Sequence, residues 1–291
     1  GLPVEKVYGD LRDPEACRRA VEGCQTAFHC ASKVSTVQGN QAHKEDVYGS
    51  NVTGTRNLLA AIRDSDVERT VVTGSLGATG YHRDDTTRAA SEEVPFFPFA
   101  IHTPYARSKH EMEHEVLKAV VDGLDVVMCT STAILGPHDH KPSRMGRTLV
   151  DYAHGKLRAY IPGGIDFVSA RDLARGHVLA LEKGRAGHKY TISTQFLSLD
   201  DIMEIWEEIT GVPRPKMRLP AKVMLGIGHV TSFVLTNFFP KAPQRFTPDA
   251  VRILMLSRRA DITKAREELG YEPGSVRQAM QDAYDDFARR G

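Results

Sequence analysis

Short apolar runs rich in β-branched residues alternate with longer helical patterns along the chain, and this alternation constrains the fold more than any other feature. We expect strands at EKVYG (5–9), TAFHCAS (26–32), TVVTGS (70–75), DVVMCTSTAI (125–134) and KYTIS (189–193). Stretches with helical periodicity lie between these runs. Strands that alternate with helices are typical of α/β proteins, so the sequence predicts this fold class.

Helices are expected near 14–23, 41–63, 104–122, 145–155, 171–184, 198–210 and 276–289. The third of these has the clearest start, because Thr103 can cap its first turn and Pro104 fits the first helical position. Another helix is expected to start after Ser198, where SLDD places carboxylates in the first turn.

Three residues suggest acid/base chemistry. Tyr105 and Lys109 lie four residues apart in a predicted helix, so their side chains share one face. A cation beside a phenol favours the phenolate and lowers the pKa of the phenol from its usual ~10. Ser75, at the end of a predicted strand, offers a hydroxyl that can bond a carbonyl oxygen. Together the three side chains could interconvert a carbonyl and an alcohol, although a Tyr-x-x-x-Lys spacing alone also occurs on ordinary surface helices.

The order of motifs resembles the extended short-chain dehydrogenase/reductase family, also called the NAD-dependent epimerase/dehydratase family. The segments that carry the resemblance are VYGDLRDPE (7–15), AFHCAS (27–32), NVTGTRNLL (51–59), VVTGSLGATG (71–80), YARSK (105–109), LGPHD (135–139), DLARGHVLALE (172–182) and DITKAREELGYEP (261–273). Within the family, the dihydroflavonol-reductase-like branch and the hopanoid-associated sugar epimerases look most similar. The resemblance implies a doubly wound, parallel-sheet Rossmann-type domain with a smaller substrate lobe, NAD or NADP as cofactor, and a small-molecule carbonyl or alcohol substrate.

The family opens with a strand, a glycine-rich GxxGxxG turn, a helix and a second strand, about 50 residues in all. This chain begins at GLPVEKVYGDL, which is similar to the family's third strand. We therefore expect an N-terminally truncated gene product or fragment, with a rearranged but competent domain as the alternative. By resemblance, residues 1–136 and 165–195 form the cofactor-binding core without its first two strands, and residues 137–164 and 196–291 form the substrate lobe.

The resemblance also implies roles for single residues. Tyr105 exchanges the proton, Ser75 bonds the substrate oxygen, and Lys109 lowers the pKa of Tyr105 and bonds the nicotinamide ribose. The implied cofactor-binding residues are Asp10, Leu11, Cys30, Ala31, Ser32, Asn51, Thr73, Tyr105, Lys109 and Thr132.

Several of these candidates have simpler interpretations. Asp10 could be an ordinary aspartate in a turn after a strand, and Asn51 a helix-interior asparagine that bonds the backbone locally. His29 is interpreted as a packed strand histidine, and Asp172 as a structural helix cap.

Two positions narrow the chemistry within the family. Nucleotide-sugar dehydratases carry an acidic pair directly after the triad serine or threonine, where this chain has Leu76 and Gly77. Many UDP-sugar epimerases carry an arginine for the pyrophosphate just before a later strand, where this chain has Ile165 in GGIDFVSARD. The hypothesis is therefore a dihydroflavonol-reductase-like oxidoreductase. A sugar epimerase, a non-catalytic cofactor sensor and an inactive fragment remain as alternatives.

Composition indicates a protein without nucleic-acid or membrane partners. The 38 basic and 37 acidic residues give a net charge of +1. The four cysteines show no CxxC spacing, which fits a reduced cytoplasm better than a disulfide framework. Family members often dimerise through the Tyr/Lys helix, so a homodimer is implied by resemblance.

Two further segments suggest a ligand or a membrane at first sight. His138 and His140 in GPHDHKP lack a third ligand at metal-binding spacing, so no metal is predicted. The run VMLGIGHVTSFVLTNFF (223–239) is too short and too often interrupted by polar residues to span a bilayer. We expect a helix there that closes the substrate lobe.

Overall fold

The computed structural model describes residues 4–97, 103–238 and 247–290, which form two compact units. Unit 1 comprises Gly1–Thr79, Phe96–Thr130 and His177–Tyr190, and unit 2 comprises Gly80–Pro95, Ser131–Gly176 and Thr191–Gly291. The predicted division into a cofactor-binding core and a substrate lobe stays a prediction, because the two units are defined by contacts between residues and these do not show which unit binds which ligand.

Unit 1 is built on a four-stranded sheet with the order β1-β2-β3-β7. Its strands are β1 (Thr26–His29), β2 (Arg69–Ser75), β3 (Val126–Ser131) and β7 (Lys189–Ile192), the last two running on into unit 2. β1 and β2 pair in parallel, and all six residues of β3 are buried. A continuous buried apolar run is typical of a strand covered on both faces, so the α/β parallel-sheet fold predicted from the sequence is confirmed.

Helices cover this sheet. They are α1 (Pro14–Val21), α2 (Gln41–Tyr48), a π-helix (Gly49–Thr53), α3 (Gly54–Arg63), a 3₁₀ turn (Leu76–Ala78), α4 (Pro104–Val121) and α6 (Ala170–Lys183), the last shared with unit 2. A core cluster joins α3, α4, β2 and β3 through residues such as Leu59, Val72, Met112 and Val126. The predicted start of α4 is confirmed, since the Thr103 side chain accepts a hydrogen bond from the Ala106 backbone N–H and Pro104 lies in the first turn.

Unit 2 holds a three-stranded sheet in the order β4-β6-β8 and a two-stranded sheet of β5 and β9. Its strands are β4 (Ala133–Leu135), β5 (Ala159–Tyr160), β6 (Gly164–Ser169), β8 (Gln195–Ser198) and β9 (Met217–Arg218). Its helices are α5 (Arg144–Ala153), α7 (Leu199–Thr210), α8 (Ala221–Phe238), α9 (Pro248–Leu256), α10 (Thr263–Leu269) and α11 (Val276–Arg290). A large apolar cluster that includes Trp206, Tyr152 and Phe167 forms its core.

Two predicted strands differ from the observed elements, and one predicted helix extends past the described residues. The strand expected at 5–9 is wrong, because residues 4–10 form no regular structure. An extended segment becomes a strand only where a neighbour takes up its backbone hydrogen bonds, and no described strand pairs with this one. The strand expected over 125–134 is divided at Thr132 into β3 and β4. The helix expected over 223–239 is found as α8, and its last predicted residue lies outside the described residues.

Candidate active site

The carboxyl end of β2 places Ser75 at the start of the 3₁₀ turn. Its hydroxyl oxygen accepts a hydrogen bond from the Gly77 backbone N–H at 3.2 Å. The neighbouring Gly74 lies against β3, where an added Cβ would come within 3.0 Å of the Thr130 Oγ1 atom. A side chain at position 74 would therefore crowd this strand end, which explains why Gly74 precedes the serine.

Tyr105 lies in the first turn of α4 and meets Ser75. The hydroxyls of Ser75 and Ser32 both hydrogen-bond the phenol. Burial raises the pKa of Tyr105, and these two hydrogen bonds oppose the rise. The structure thus brings together two of the three predicted catalytic residues, and it adds Ser32, which was predicted only as a cofactor contact.

Lys109 lies one turn further along α4 and is only 2% exposed. Its ammonium donates to the Thr73 carbonyl oxygen at 2.6 Å and to the Met112 sulfur at 3.3 Å. Burial lowers the pKa of Lys109 to about 8, although Glu113 and Cys30 oppose this shift.

The structure does not support the prediction that Lys109 lowers the pKa of Tyr105. The pKa of Tyr105 is raised, and Lys109 is not among the groups that shift it. The reason is that the half-buried phenol is shielded from water, while the ammonium of Lys109 bonds Thr73 and Met112. The tyrosine is therefore a protonated phenol at neutral pH, a state suited to donating a proton.

A polar cluster surrounds the carboxyl end of β1. The His29 Nε2 atom lies 2.8 Å from the Thr55 hydroxyl, and burial lowers the pKa of His29 to about 4. The hydroxyl of Thr73 lies 2.7 Å from the Nε2 atom of His177. Cys30 itself is exposed, and hydrogen bonds with His177 and Thr73 lower the pKa of its thiol against a smaller effect of desolvation. His29 is thus the packed strand histidine that the sequence predicts.

Asn51 connects this strand end to α4. It is 1% exposed, and its Oδ1 atom accepts hydrogen bonds from the Ser32 hydroxyl and the Lys33 backbone N–H. Its Nδ2 atom donates to the Lys33 carbonyl and to the Ser108 hydroxyl. Asn51 lies in the π-helix, an irregularity often found at functional sites. It fixes the segment after β1 beside the Tyr105–Lys109 turn.

The other predicted cofactor residues lie in different settings. Asp10 is exposed and is held by Arg12, whose hydrogen bonds lower the pKa of Asp10 to about 2. Leu11 packs against the apolar cluster of α1 and α3, and Ala31 is exposed after β1. Thr132 belongs to unit 2, where its hydroxyl lies 3.5 Å from that of Ser193. The structure therefore groups Ser32, Asn51 and Thr73 with the catalytic set and leaves Thr132 in the other unit.

Asp172 and the histidine loop have structural contacts. Asp172 accepts hydrogen bonds from the Thr194 hydroxyl and the Gly274 backbone N–H, which ties α6 to two loops of unit 2. The His138 backbone N–H donates to the Asp286 carboxylate. Across residues 4–97, 103–238 and 247–290, no group of three His, Cys, Asp or Glu side chains could hold a metal ion. Within the same residues, no helix is long and apolar enough to cross a membrane.

Residues of the site and of the sheet around it lie within a stretch that matches a known protein family. The model of the NAD dependent epimerase/dehydratase family matches residues 3–193. The chain belongs to this family. With it the chain belongs to the extended short-chain dehydrogenases/reductases, as its motifs predict. It is an enzyme of the oxidoreductase/epimerase type whose cofactor is NAD or NADP.

Individual relatives of this family member are similar over most of this chain. "Sterol demethylase protein B" of Methylococcus capsulatus is 39% identical over all of this chain and 87% of its own length. "3beta-hydroxysteroid-dehydrogenase/decarboxylase isoform 2" of Arabidopsis thaliana is 29% identical over 93% of this chain and 49% of its own.

Solved structures share the fold of this family member. The crystal structure of gox2253 superposes with a TM-score of 0.84 at 30% identity, covering 100% of this chain and 86% of its own. A Bacillus cereus UDP-glucuronic acid 4-epimerase, solved with UDP-glucuronic acid and NAD, has a TM-score of 0.74 at 19% identity, over 99% of this chain and 81% of its own. The second match shows the fold alone.

Three residues of this family member's site escaped the sequence analysis. They are Ser108, which bonds Asn51, His177, which bonds Thr73, and Glu113, which acts on Lys109. The spacing of Lys109 and Glu113, four residues along one helix, could have indicated a contact. No local pattern could have indicated that His177 meets Thr73, because 104 residues separate them.

Proposed function

We propose that the chain interconverts a carbonyl and an alcohol by hydride transfer with NAD or NADP, using Ser75, Tyr105 and Lys109. The observation that carries the proposal is the hydrogen bond between the hydroxyls of Ser75 and Tyr105, with the buried Lys109 one turn further along α4. Two hydroxyls that meet in this way can bond one carbonyl oxygen from two directions.

Each side chain has a separate task in carbonyl reduction. The bound nicotinamide supplies the hydride. Ser75 bonds the substrate oxygen and orients it toward the phenol. Tyr105, which burial keeps protonated, donates its proton to the oxygen as negative charge develops there. Asn51 holds Ser32 and the backbone of Lys33, which fixes the surroundings of the phenol.

The residues present fit the nicotinamide and ribose half of the cofactor. Lys109 carries an ammonium with hydrogens to donate, and Ala31 is a small, exposed residue just after β1. In open α/β sheets, ligands bind outside the carboxyl ends of the strands. Lys109 would hold the ribose hydroxyls, and the backbone around Ala31 would lie along the dinucleotide.

We further propose that the substrate is an apolar cyclic ketone or alcohol rather than a nucleotide sugar. The names of two relatives refer to sterols and 3β-hydroxysteroids. In this chain, Ile165 takes the place of the pyrophosphate-binding arginine, and it packs against the apolar cluster of unit 2. An apolar residue there offers no donor to a diphosphate.

A sugar epimerase is the second candidate, because solved structures with the same fold include UDP-sugar epimerases. The two functions differ in net consumption of cofactor. A reductase oxidises one NAD(P)H for each alcohol formed, whereas an epimerase returns the hydride to the other face of its substrate. The same residues serve both reactions, so only the net consumption of NAD(P)H distinguishes a reductase from an epimerase.

The test combines one probe for each function. The protein is incubated with NADH or NADPH and 5α-cholestan-3-one in micelles, or with NAD⁺ or NADP⁺ and UDP-glucose, and products are identified by mass spectrometry and chromatography. We expect one alcohol for each cofactor molecule oxidised with the ketone and no UDP-galactose. Inversion of UDP-glucose without net oxidation would support the epimerase instead. Cofactor binding without turnover of either probe would contradict the proposed reductase activity on sterol-like ketones and favour a non-catalytic role.

A further inference from the structure

Among the described residues, Lys109 has no charged hydrogen-bond partner, although its side chain is buried. Its two partners are a backbone carbonyl oxygen and a thioether sulfur, from Thr73 and Met112. A buried ammonium is unstable unless an opposite charge lies nearby. The structure must therefore provide a negative group within reach if Lys109 is to remain cationic.

Glu113 provides such a group. It lies one turn after Lys109 on α4, where side chains four residues apart are neighbours, and it is 7% exposed. Its Oε2 atom accepts a hydrogen bond from the Lys189 ammonium at 3.0 Å. Its Oε1 atom is buried and has no hydrogen-bond partner among the described residues. Burial raises the pKa of Glu113, and the charges of Lys189 and Lys109 oppose this rise. Both cations therefore act on this carboxyl group, which still has one oxygen to offer.

The other groups around this arrangement do not replace the carboxylate. Among the described residues they are His29 of β1, Cys30 just after it, Thr73 of β2, Tyr105 and His114 of α4, His177 of α6 and Lys189 of β7. Burial keeps His29 neutral at pH 7, and the phenol of Tyr105 is protonated. Only Glu113 and, to a lesser degree, Cys30 support the positive charge of Lys109.

We propose that Glu113 is a positioning residue for the reactive lysine. Its carboxylate keeps Lys109 an ammonium ion, and Lys189 holds the carboxylate in place by the hydrogen bond to its Oε2 atom. The catalytic consequence of this inference rests on the proposed function, whereas the charge relation itself does not.

Replacing Glu113 and replacing Lys189 should have opposite effects on the pH at which Lys109 loses its proton. Without the carboxylate, Lys109 loses its proton at a lower pH. Without Lys189, the carboxylate faces Lys109 alone and one repelling cation is gone, so Lys109 keeps its proton to a higher pH. A purely structural role for the Glu113–Lys189 pair predicts no shift in either case.

The experiment measures the titration of Lys109 directly. The full chain is labelled with ¹³Cε-lysine, the Lys109 signal is assigned with a Lys109→Met variant, and the midpoint is followed by NMR in the absence of substrate. We expect the midpoint to fall by about one pH unit in Glu113→Gln and to rise in Lys189→Gln. The matched control is Glu111→Gln, on the same helix but two residues from Lys109 and therefore on another face. It should leave the midpoint unchanged.

Turnover gives the second readout. The alkaline limb of the pH profile with NADPH and 5α-cholestan-3-one should move by the same amount and in the same direction as the NMR midpoint. An unmoved Lys109 midpoint in Glu113→Gln overturns the proposal. If that variant does not fold, a zero or downward shift in Lys189→Gln overturns it equally. Midpoints that shift as expected in an inactive protein leave this inference standing and count against the proposed function instead.

Discussion

Two buried carboxylates, Asp166 in unit 2 and Glu113 in unit 1, have different kinds of partner. In unit 2, Asp166 is 6% exposed, and both of its oxygens have partners, the Ser193 hydroxyl and the Ala260 backbone N–H. In unit 1, Glu113 is equally buried, but one oxygen bonds a lysine and the other has no partner among the described residues. Burial alone therefore does not distinguish a structural carboxylate from a reactive one.

The difference lies in what the partners are. Hydroxyls and backbone N–H groups satisfy a carboxylate and fix loops around it, but they bring no further charge. Lysine side chains keep charge in a setting of low dielectric, where each one changes the protonation of its neighbours. The partners of Asp166 thus hold loops in place, whereas the charges of Glu113 and its neighbouring lysines influence one another's protonation.

A large effect on turnover should come from Ser75 in unit 1. Replacing it with Ala removes one of the two hydroxyls that can bond the substrate oxygen, so turnover should fall by about a hundredfold or more. Stability should change little, because the hydroxyl accepts only one backbone hydrogen bond. Kinetics with NADPH and 5α-cholestan-3-one measure the loss. Ser65→Ala is the matched control, and an equal loss there would contradict the assignment.

The next effect should come from Asp166 in unit 2. Asp166→Ala leaves the Ala260 N–H without its buried partner, whereas the Ser193 hydroxyl keeps the Phe167 carbonyl, so the free energy of unfolding should fall by about 2 kcal/mol. Urea unfolding measures this. Turnover per folded molecule should remain within a factor of about two if the role is purely structural. A specific loss of turnover without a loss of stability would break the comparison between the units.

A smaller effect, confined to acid, should come from His29. Its pKa is lowered to about 4 in the folded protein, against an ordinary 6.5. Between these values the unfolded chain binds the proton and the folded chain does not, so stability is lost as the pH falls from 6.5 to 4. The loss is at most roughly 3 kcal/mol. Unfolding at several pH values should show this slope, and His29→Gln should remove it. An unchanged slope in the variant would assign the acid sensitivity to another group.

Part of this arrangement could be read from the sequence. Thr103 and Pro104 fix where α4 begins, and this start puts Tyr105 and Lys109 on successive turns of one face. The order of motifs places Ser75 after a strand, and the structure brings it to the phenol. Local signals were sufficient here because cap, spacing and strand end all lie within short stretches of chain.

Other features depend on contacts that no local pattern encodes. The raised pKa of Tyr105 follows from burial, and the ion pair of Glu113 and Lys189 joins residues 76 positions apart. The strand expected at 5–9 required a neighbour that the described residues do not provide. Tertiary packing decides these features, so sequence spacing predicted the reactive residues but not their protonation.

The account depends most on Tyr105 as the proton donor. The measurement that tests it directly is the single-turnover rate of NADPH oxidation by 5α-cholestan-3-one for the unaltered protein and for Tyr105→Phe at pH 7, with Tyr48→Phe as control. We expect Tyr105→Phe to be slower by about a thousandfold, with cofactor affinity unchanged and Tyr48→Phe fully active. Equal rates for Tyr105→Phe and the unaltered protein would contradict the account.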